Sequence, residues 1–187
     1  MDTVEISAGR FQLRPCQPAD ADWVYRACQD RAIQRWTSVP TPYTIDDAEN
    51  YVSKYVPEMW ETDRGAPFAV FDAVSGEGLG VTGLVTLDLA AGRAEVGYWV
   101  APWARRRGVA TAATLAIARW AFGALGTARL QWLAEVGNEG SRAVAEQVGF
   151  TIEGVLRARL RRRDGSRADA WVGSLLPSDL TDAGLRG

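Results

Sequence analysis

The order of elements along this sequence predicts an α+β fold: a mixed, largely antiparallel twisted sheet flanked by about four helices. Three observations carry that expectation. The middle of the chain holds three apolar runs separated by Ser75-Gly76-Glu77-Gly78 and Ala90-Ala91-Gly92, turns short enough for antiparallel hairpins. Near the end, two long runs face each other across Asp164-Gly165, a dipeptide suited to a tight hairpin turn. No repeat, low-complexity stretch or linker interrupts the 187 residues, so residues 1–187 read as one domain. A chain of this size buries roughly 70% of its unfolded surface, enough for a full core.

The elements follow in order. Phe11-Gln12-Leu13-Arg14-Pro15 alternates apolar and polar residues and predicts a first strand. Asp20 is placed to cap a helix whose apolar face is Ala21, Val24, Tyr25 and Cys28. Gln34-Arg35-Trp36-Thr37-Ser38-Val39-Pro40 then reads as a loop. Thr44 and Asp47 form an acidic variant of the capping box before Ala48, Tyr51, Val52, Tyr55 and Val56, a helix expected to end near Pro57. Pro67 to Phe71, Gly80 to Leu87 and Arg93 to Val100 are the three middle strands. An alanine-rich helix is expected from Gly108 to about Phe122, and a strand over Leu130 to Ala134. A short helix from Gly140 to Val148 closes at Gly149. Phe150 to Arg162 and Arg167 to Leu176 form the final hairpin.

Composition narrows the chemistry. Hydrophobic residues make up 47% and charged residues 24%, and the net charge of -2 gives no overall basic field to draw the molecule to nucleic acid. Histidine is absent. That removes Ser-His-Asp and Cys-His catalysis and every histidine metal site, argues against a metalloenzyme, and leaves a carboxylate, tyrosine, cysteine or water chain as general base. Cys16 and Cys28 have no metal-ligand or disulfide pattern and fit packing positions, which suits a reducing cytoplasmic home. The N-terminus lacks a signal-peptide pattern, and no apolar run approaches the ~20 residues needed to span a membrane.

The segment Tyr98-Trp99-Val100-Ala101-Pro102-Trp103-Ala104-Arg105-Arg106-Arg107-Gly108-Val109-Ala110-Thr111 concentrates the functional signal. A strand ends, a short loop follows, and a helix begins among small residues. A helix N-terminus offers free N–H groups and the positive end of a dipole. Gly108 and Ala110 let an anion approach the backbone, and three arginines bring forked donors for phosphate oxygens. Neither Gly-x-x-x-x-Gly-Lys-Ser/Thr nor Gly-x-Gly-x-x-Gly is present, which sets aside nucleotide P-loops and dinucleotide fingerprints.

Arg105-x-x-Gly108-x-Ala110 resembles the Gln/Arg-x-x-Gly-x-Gly/Ala motif of the GNAT N-acyltransferases. Asn138-Glu139-Gly140-Ser141 with Val148-Gly149-Phe150, and the turn Arg163-Asp164-Gly165-Ser166-Arg167-Ala168-Asp169, resemble the RimJ/RimL branch, whose members acetylate ribosomal-protein N-termini. The resemblance covers nearly the whole chain and is weakest over residues 30–65. It implies a single GNAT-type domain using acetyl-CoA and no metal. By the resemblance Arg105, Arg106, Arg107, Gly108, Val109, Ala110 and Thr111 hold the pyrophosphate, Trp99 and Val100 border the pantetheine arm, and the Val100 N–H is the oxyanion donor. The sheet is expected to splay there, and the amine attacks the thioester directly, without a covalent enzyme intermediate.

Glu95 alternates with Gly97 and Trp99 on one strand face; it is either the general base or an ordinary salt-bridged glutamate. Ser141 protonates the departing thiolate, bonds the cofactor, or serves only its helix, and Asn138 bonds the pantetheine amides or caps that helix. Trp99, Trp120 and Trp132 read as core or cofactor-wall residues, while Trp36, in the expected loop, is the candidate acceptor contact. The expected acceptor is a primary amine, either a protein N-terminus or a small amine or aminoacyl compound. An α-amine, with an unperturbed pKa of roughly 7.7–8.0 against ~10.4 for lysine, suits a site without histidine. The alternatives are a bulkier donor such as succinyl-CoA, or a non-catalytic acyl-CoA sensor or nucleic-acid-binding protein using the hairpin arginines. A homodimer is compatible with the sequence; a membrane partner is not expected.

Overall fold

A computed structural model describes residues 1–183. Eight strands form one sheet in the order β1-β2-β3-β4-β5-β6-β8-β7. They are β1 (Ile6–Ala8), β2 (Phe11–Arg14), β3 (Ala66–Asp72), β4 (Gly78–Asp88), β5 (Arg93–Val100), β6 (Arg129–Glu135), β7 (Thr151–Arg161) and β8 (Arg167–Leu175). Every neighbouring pair is antiparallel except β5 and β6. The helices are α1 (Ala21–Cys28), α2 (Arg31–Trp36), α3 (Ile45–Asn50), α4 (Val56–Glu61), α5 (Val109–Gly123), α6 (Glu139–Val148) and α7 (Pro177–Ala183). The fold is thus α+β with a mixed, mostly antiparallel sheet.

The core follows from alternation. On β5, Ala94 and Val96 are buried while Glu95 and Gly97 are half-exposed. On β6, Leu130, Trp132 and Ala134 are buried, and Gln131, Leu133 and Glu135 lie on the opposite, half-open face. β3 is buried at all seven positions, so it is covered on both faces. Trp60 of α4, Phe68 of β3 and Trp120 of α5 meet edge to face or tilted, with ring centroids 5.0–5.8 Å apart. Trp120 is therefore a core residue.

Several local expectations change. A short first strand, β1, pairs with β2, so the sheet has one strand more than the pattern suggests. The stretch read as a loop contains α2, and α7 follows β8; together with the segment around Pro57 this raises the helix count above four. That segment does not stop at the proline. Five residues, Tyr51–Tyr55, form a π turn in which the Val56 N–H reaches back to the Tyr51 carbonyl, and α4 continues through Pro57. A widened turn leaves room for the ring and demands no N–H from proline. Asp20 makes no side-chain cap for α1. Its carboxylate accepts from the Gln17 N–H at 2.7 Å, from Arg14 at 2.7 and 3.0 Å and from Trp23 Nε1 at 3.2 Å. Burial pushes its pKa up, but those donors win and hold it below the usual value. The Thr44–Asp47 capping box is present in both directions, with Thr44 N–H donating to Asp47 at 2.9 Å and Asp47 N–H to Thr44 Oγ1 at 3.2 Å.

Candidate functional site

Strands β5 and β6 run side by side for only four residue pairs, from Arg93↔Arg129 to Val96↔Trp132. β4 continues to pair with β5 beyond that point, through Gly83↔Gly97, Thr82↔Tyr98, Val81↔Trp99 and Gly80↔Val100. Residues 97–100 therefore have a partner on one side and an open edge on the other, which is the expected splay. The orientation of its backbone groups follows from register. Ala101 N–H donates to Leu79 O at 2.8 Å, which makes that pair a hydrogen-bonded one. Alternation along an antiparallel ladder then directs Trp99 and Gly97 toward β4, and the N–H and C=O of Val100 and Tyr98 toward the gap. The Val100 N–H thus faces the gap, and Tyr98 offers a second set of groups there.

At the wide end of the gap the chain turns into α5. Arg106 has φ 62° and Gly108 φ 75°, both left-handed, and Gly108 is the N-cap of α5. Two left-handed residues separated by one, just ahead of a helix, gather N–H groups into an anion-binding concavity. The three arginines are not equivalent. Arg105 is paired with Asp30 at 2.5 and 3.3 Å, and Arg107 lies 3.6 Å from Asp72 and 3.7 Å from Glu77. Arg106 makes no ion pair among the described residues and is the arginine free to meet an anion. Val109 is buried, Ala110 leaves the first turn open, and Thr111 Oγ1 donates to Gln147 Oε1 at 2.9 Å, tying α5 to α6.

The gap's inner end carries the titratable groups. Glu95 precedes the last paired residue of β5 and accepts from Gln131 Nε2 at 3.1 Å. Burial pushes its pKa up, opposed by that hydrogen bond and by the charge of Arg159. On the other face, Tyr98 reaches α6: its hydroxyl donates to the Ser141 carbonyl at 2.9 Å and accepts from Ser141 Oγ at 3.2 Å. Ser141 Oγ also accepts from Trp132 Nε1 at 3.1 Å. Burial pushes the Tyr98 phenol up to about 12, so it stays protonated. Asn138 caps α6, its side chain accepting from the Ser141 N–H at 3.2 Å. Burial likewise pushes Cys16 and Cys28 up to about 12, and neither thiol is poised as a nucleophile.

A six-residue helix straddles the gap. Asp30 caps α2, accepting from Ala32 and Ile33 N–H at 3.0 and 2.9 Å, while also holding Arg105 from the loop after β5. At the other end Arg35 donates to Glu135 of β6 at 2.7 and 3.1 Å, and Arg162 donates to the same carboxylate at 2.6 Å. These two guanidiniums hold Glu135 at about 2. Helix α2 is therefore a strap tied to both splayed strands on the Glu95 face. The Arg35 guanidinium stacks 4.1 Å from the Trp36 ring, which is 37% exposed and lies beside Gly137, one residue before Asn138. Arg163 binds Thr37 O, Val39 O and Thr41, fixing the following segment to the β7–β8 hairpin.

Trp99 points away from the Tyr98 side and packs against Trp23 of α1, 6.0 Å between centroids, so its side chain is a support and only its strand borders the gap. Trp132 is buried and serves Ser141. Sequence reasoning missed Tyr98, Gln131, Asp30 and Glu135. Tyr98 had a signal, since strand alternation sets it opposite Glu95 and Trp99; the other three owe their places to partners 36 to 100 residues away. Among the described residues no cluster of His, Cys, Asp and Glu could hold a metal ion, and no helix is long and apolar enough to cross a membrane.

Comparison with known proteins bears on the fold and the family. The Bacillus subtilis (strain 168) protein named uncharacterized N-acetyltransferase YoaA is 25% identical over 171 residues, covering 91% of this chain and 96% of its own. RimL, a ribosomal α-N-protein acetyltransferase, superposes with a TM-score of 0.82 at 17% identity, over 94% of this chain and 96% of its own. The microcin self-immunity acetyltransferase MccE, solved in complex with acetyl-CoA and AMP, gives 0.79 at 21% identity, over 90% and 93%. Those two structural likenesses speak for the fold. The family model for the acetyltransferase (GNAT) domain matches residues 10–151, and the chain belongs to that family.

Proposed function

We propose that this protein transfers an acetyl group from acetyl-CoA to a primary amine, an α-amine at a protein N-terminus or on a small molecule. The observation that carries the reading is the parting of β5 and β6 after Val96↔Trp132, with Glu95 on one face of the junction and Tyr98 with Ser141 on the other. The residues present fit the donor. The left-handed turn at Arg106 and Gly108 and the free Arg106 suit a pyrophosphate, and the outward groups of Tyr98 and Val100 suit an amide-bearing arm. The donor amide of Asn138 is left over after capping and serves the same arm. When bound, acetyl-CoA supplies the activated acyl group.

This chain's own residues then divide the work. The Val100 N–H is a fixed dipole toward the developing oxyanion. Glu95 takes the proton of the attacking amine, directly or through one water; its raised pKa brings it nearer that of the amine than an ordinary glutamate. Tyr98, protonated and braced by Ser141 Oγ, is the O–H donor for the departing thiolate, turning its one hydrogen from the Ser141 carbonyl to do so. Trp36 on the strap is a wall for the acceptor. The same α-amine preference follows, since its free base is more abundant at neutral pH than that of lysine. Two buried free thiols fit work in the cytosol. A thiol-release assay with acetyl-CoA and succinyl-CoA against short peptides, free amino acids and aminoglycosides tests the reading. Acetyl-CoA with an α-amine is the expected productive pair; release with succinyl-CoA alone, or with no amine at all, would refute it.

A further inference from the structure

The last third of β7 is built unlike the rest of the sheet. Between Leu156↔Ala170 and Leu160↔Ala168, β7 has three residues where β8 has one. Ala158 takes φ 53°, and its N–H donates to Asp169 Oδ1 at 2.7 Å, which pins the bulge. Such a bulge bends a strand and re-aims its side chains. The bend brings the end of β7 over the acceptor face: Arg162 reaches Glu135, which alternates with Gln131 on the face where Gln131 touches Glu95. Of the arginines here, Arg162 and Arg163 hold the strap and its following segment. Arg157, Arg159 and Arg161 are exposed and make no ion pair or hydrogen bond among the described residues. Arg159 lies between the bulge at Ala158 and Arg162, on the length of β7 that the bend carries to the Glu135 face, and its charge is felt at half-buried Glu95.

We propose that Arg159 is a specificity-determining residue that binds a carboxylate carried next to the reacting amine, with Arg157 and Arg161 adding field of the same sign. This names an acceptor class for the transferase read above and rests on that reading. A base and a cation on one face suit a molecule with an amine at one end and an anionic oxygen nearby. Two sources offer that chemistry: the α-carboxylate of a free amino acid, and an acidic side chain in the first residues of a peptide. A guanidinium forks onto a carboxylate with two donors, which a lysine cannot reproduce.

Steady-state thiol release from acetyl-CoA with matched acceptors tests it. The pairs are alanine against alaninamide, and the peptide amides Ser-Asp-Ala and Ser-Asn-Ala. The wild type is expected to favour the anionic member of at least one pair by about tenfold in kcat/KM, a fold-change typical of one charge-assisted bond. The responding pair identifies the source. Arg159→Gln should erase that preference while leaving the acetyl-CoA KM unchanged, any effect of the lost charge on Glu95 falling on both members of a pair alike, and Arg159→Lys should restore only part of it. Equal kcat/KM within both pairs for the wild type, or a preference that survives in Arg159→Gln, overturns the assignment and leaves the transferase reading standing. Thiol release with none of the four acceptors overturns that reading, and this one with it.

Discussion

Replacing Glu95 by glutamine separates catalysis from stability with a single oxygen-to-nitrogen change. Glu95 is held by one side-chain hydrogen bond, from Gln131 Nε2 at 3.1 Å, and the amide oxygen of glutamine can accept it equally well. Burial is the main influence on its carboxyl, and it raises the pKa. The folded state therefore holds this proton more tightly than the unfolded chain. The contribution to stability is present below the unfolded pKa and is lost as pH rises through the folded one. At neutral pH the wild type bears a desolvation penalty that the glutamine variant lacks, so the melting temperature should be unchanged or higher. Activity should move the other way. Loss of a positioned general base costs about 10²–10⁴-fold. The deficit should shrink as pH passes about 8, where an α-amine is mostly free base. The assay is thiol release across pH 6–10, with thermal melts of both proteins alongside. A pH–rate profile that overlays the wild type, or a rate loss that merely tracks a fall in melting temperature, would refute the role of Glu95.

Gly108→Glu should raise the CoA dissociation constant at least tenfold by calorimetry, because a carboxylate then occupies the helix N-terminus that an anion needs. No atom lies within 4 Å of an added Cβ, so the fold bears only the φ of +75°, about 1–2 kcal/mol, and stays intact; unchanged CoA affinity would remove this turn from the cofactor site. Tyr98→Phe should lower kcat about tenfold or more while CoA affinity holds, since it deletes the thiolate's donor and leaves the Ser141 hydroxyl without its acceptor. An unchanged kcat would make the Tyr98–Ser141 contact purely structural. Trp36→Ala should raise the acceptor KM with little effect on acetyl-CoA, and, with 37% of the residue exposed, should cost less than the ~3–5 kcal/mol of a core tryptophan. A large drop in melting temperature with an unchanged KM would take Trp36 out of the site.

The features legible in the sequence are those whose cause is local. Thr44 and Asp47 are three residues apart and can satisfy only each other's backbone, so the capping box follows from the pattern. Gly149 closes α6 at φ 109°, a conformation that glycine enters without penalty. Asp164-Gly165 sets the last hairpin for the same reason. Asp20 has the same capping chemistry as Thr44, yet Arg14 and Trp23 claim its carboxylate once the chain has folded. The stretch 31–36 gave no strong helical period because it is too short to show one. It is helical because Asp30 caps it and its two ends are anchored to Arg105 and Glu135, 75 and 100 residues from their partners.

The sequence by itself determined the family, the order of the main strands and the helix start at Gly108, because a strand, a glycine in a left-handed turn and a helix start are specified by neighbours in the chain. Three adjacent arginines looked alike there. Only the tertiary structure decided that Arg105 braces a strap, Arg107 faces Asp72 and Glu77, and Arg106 remains free. It also decided where β5 and β6 part, and so which amides face the gap. The physical reason is the same in each case. A charge or a strand edge takes whichever partner the fold brings within about 3 Å, and no periodicity in the sequence encodes that separation.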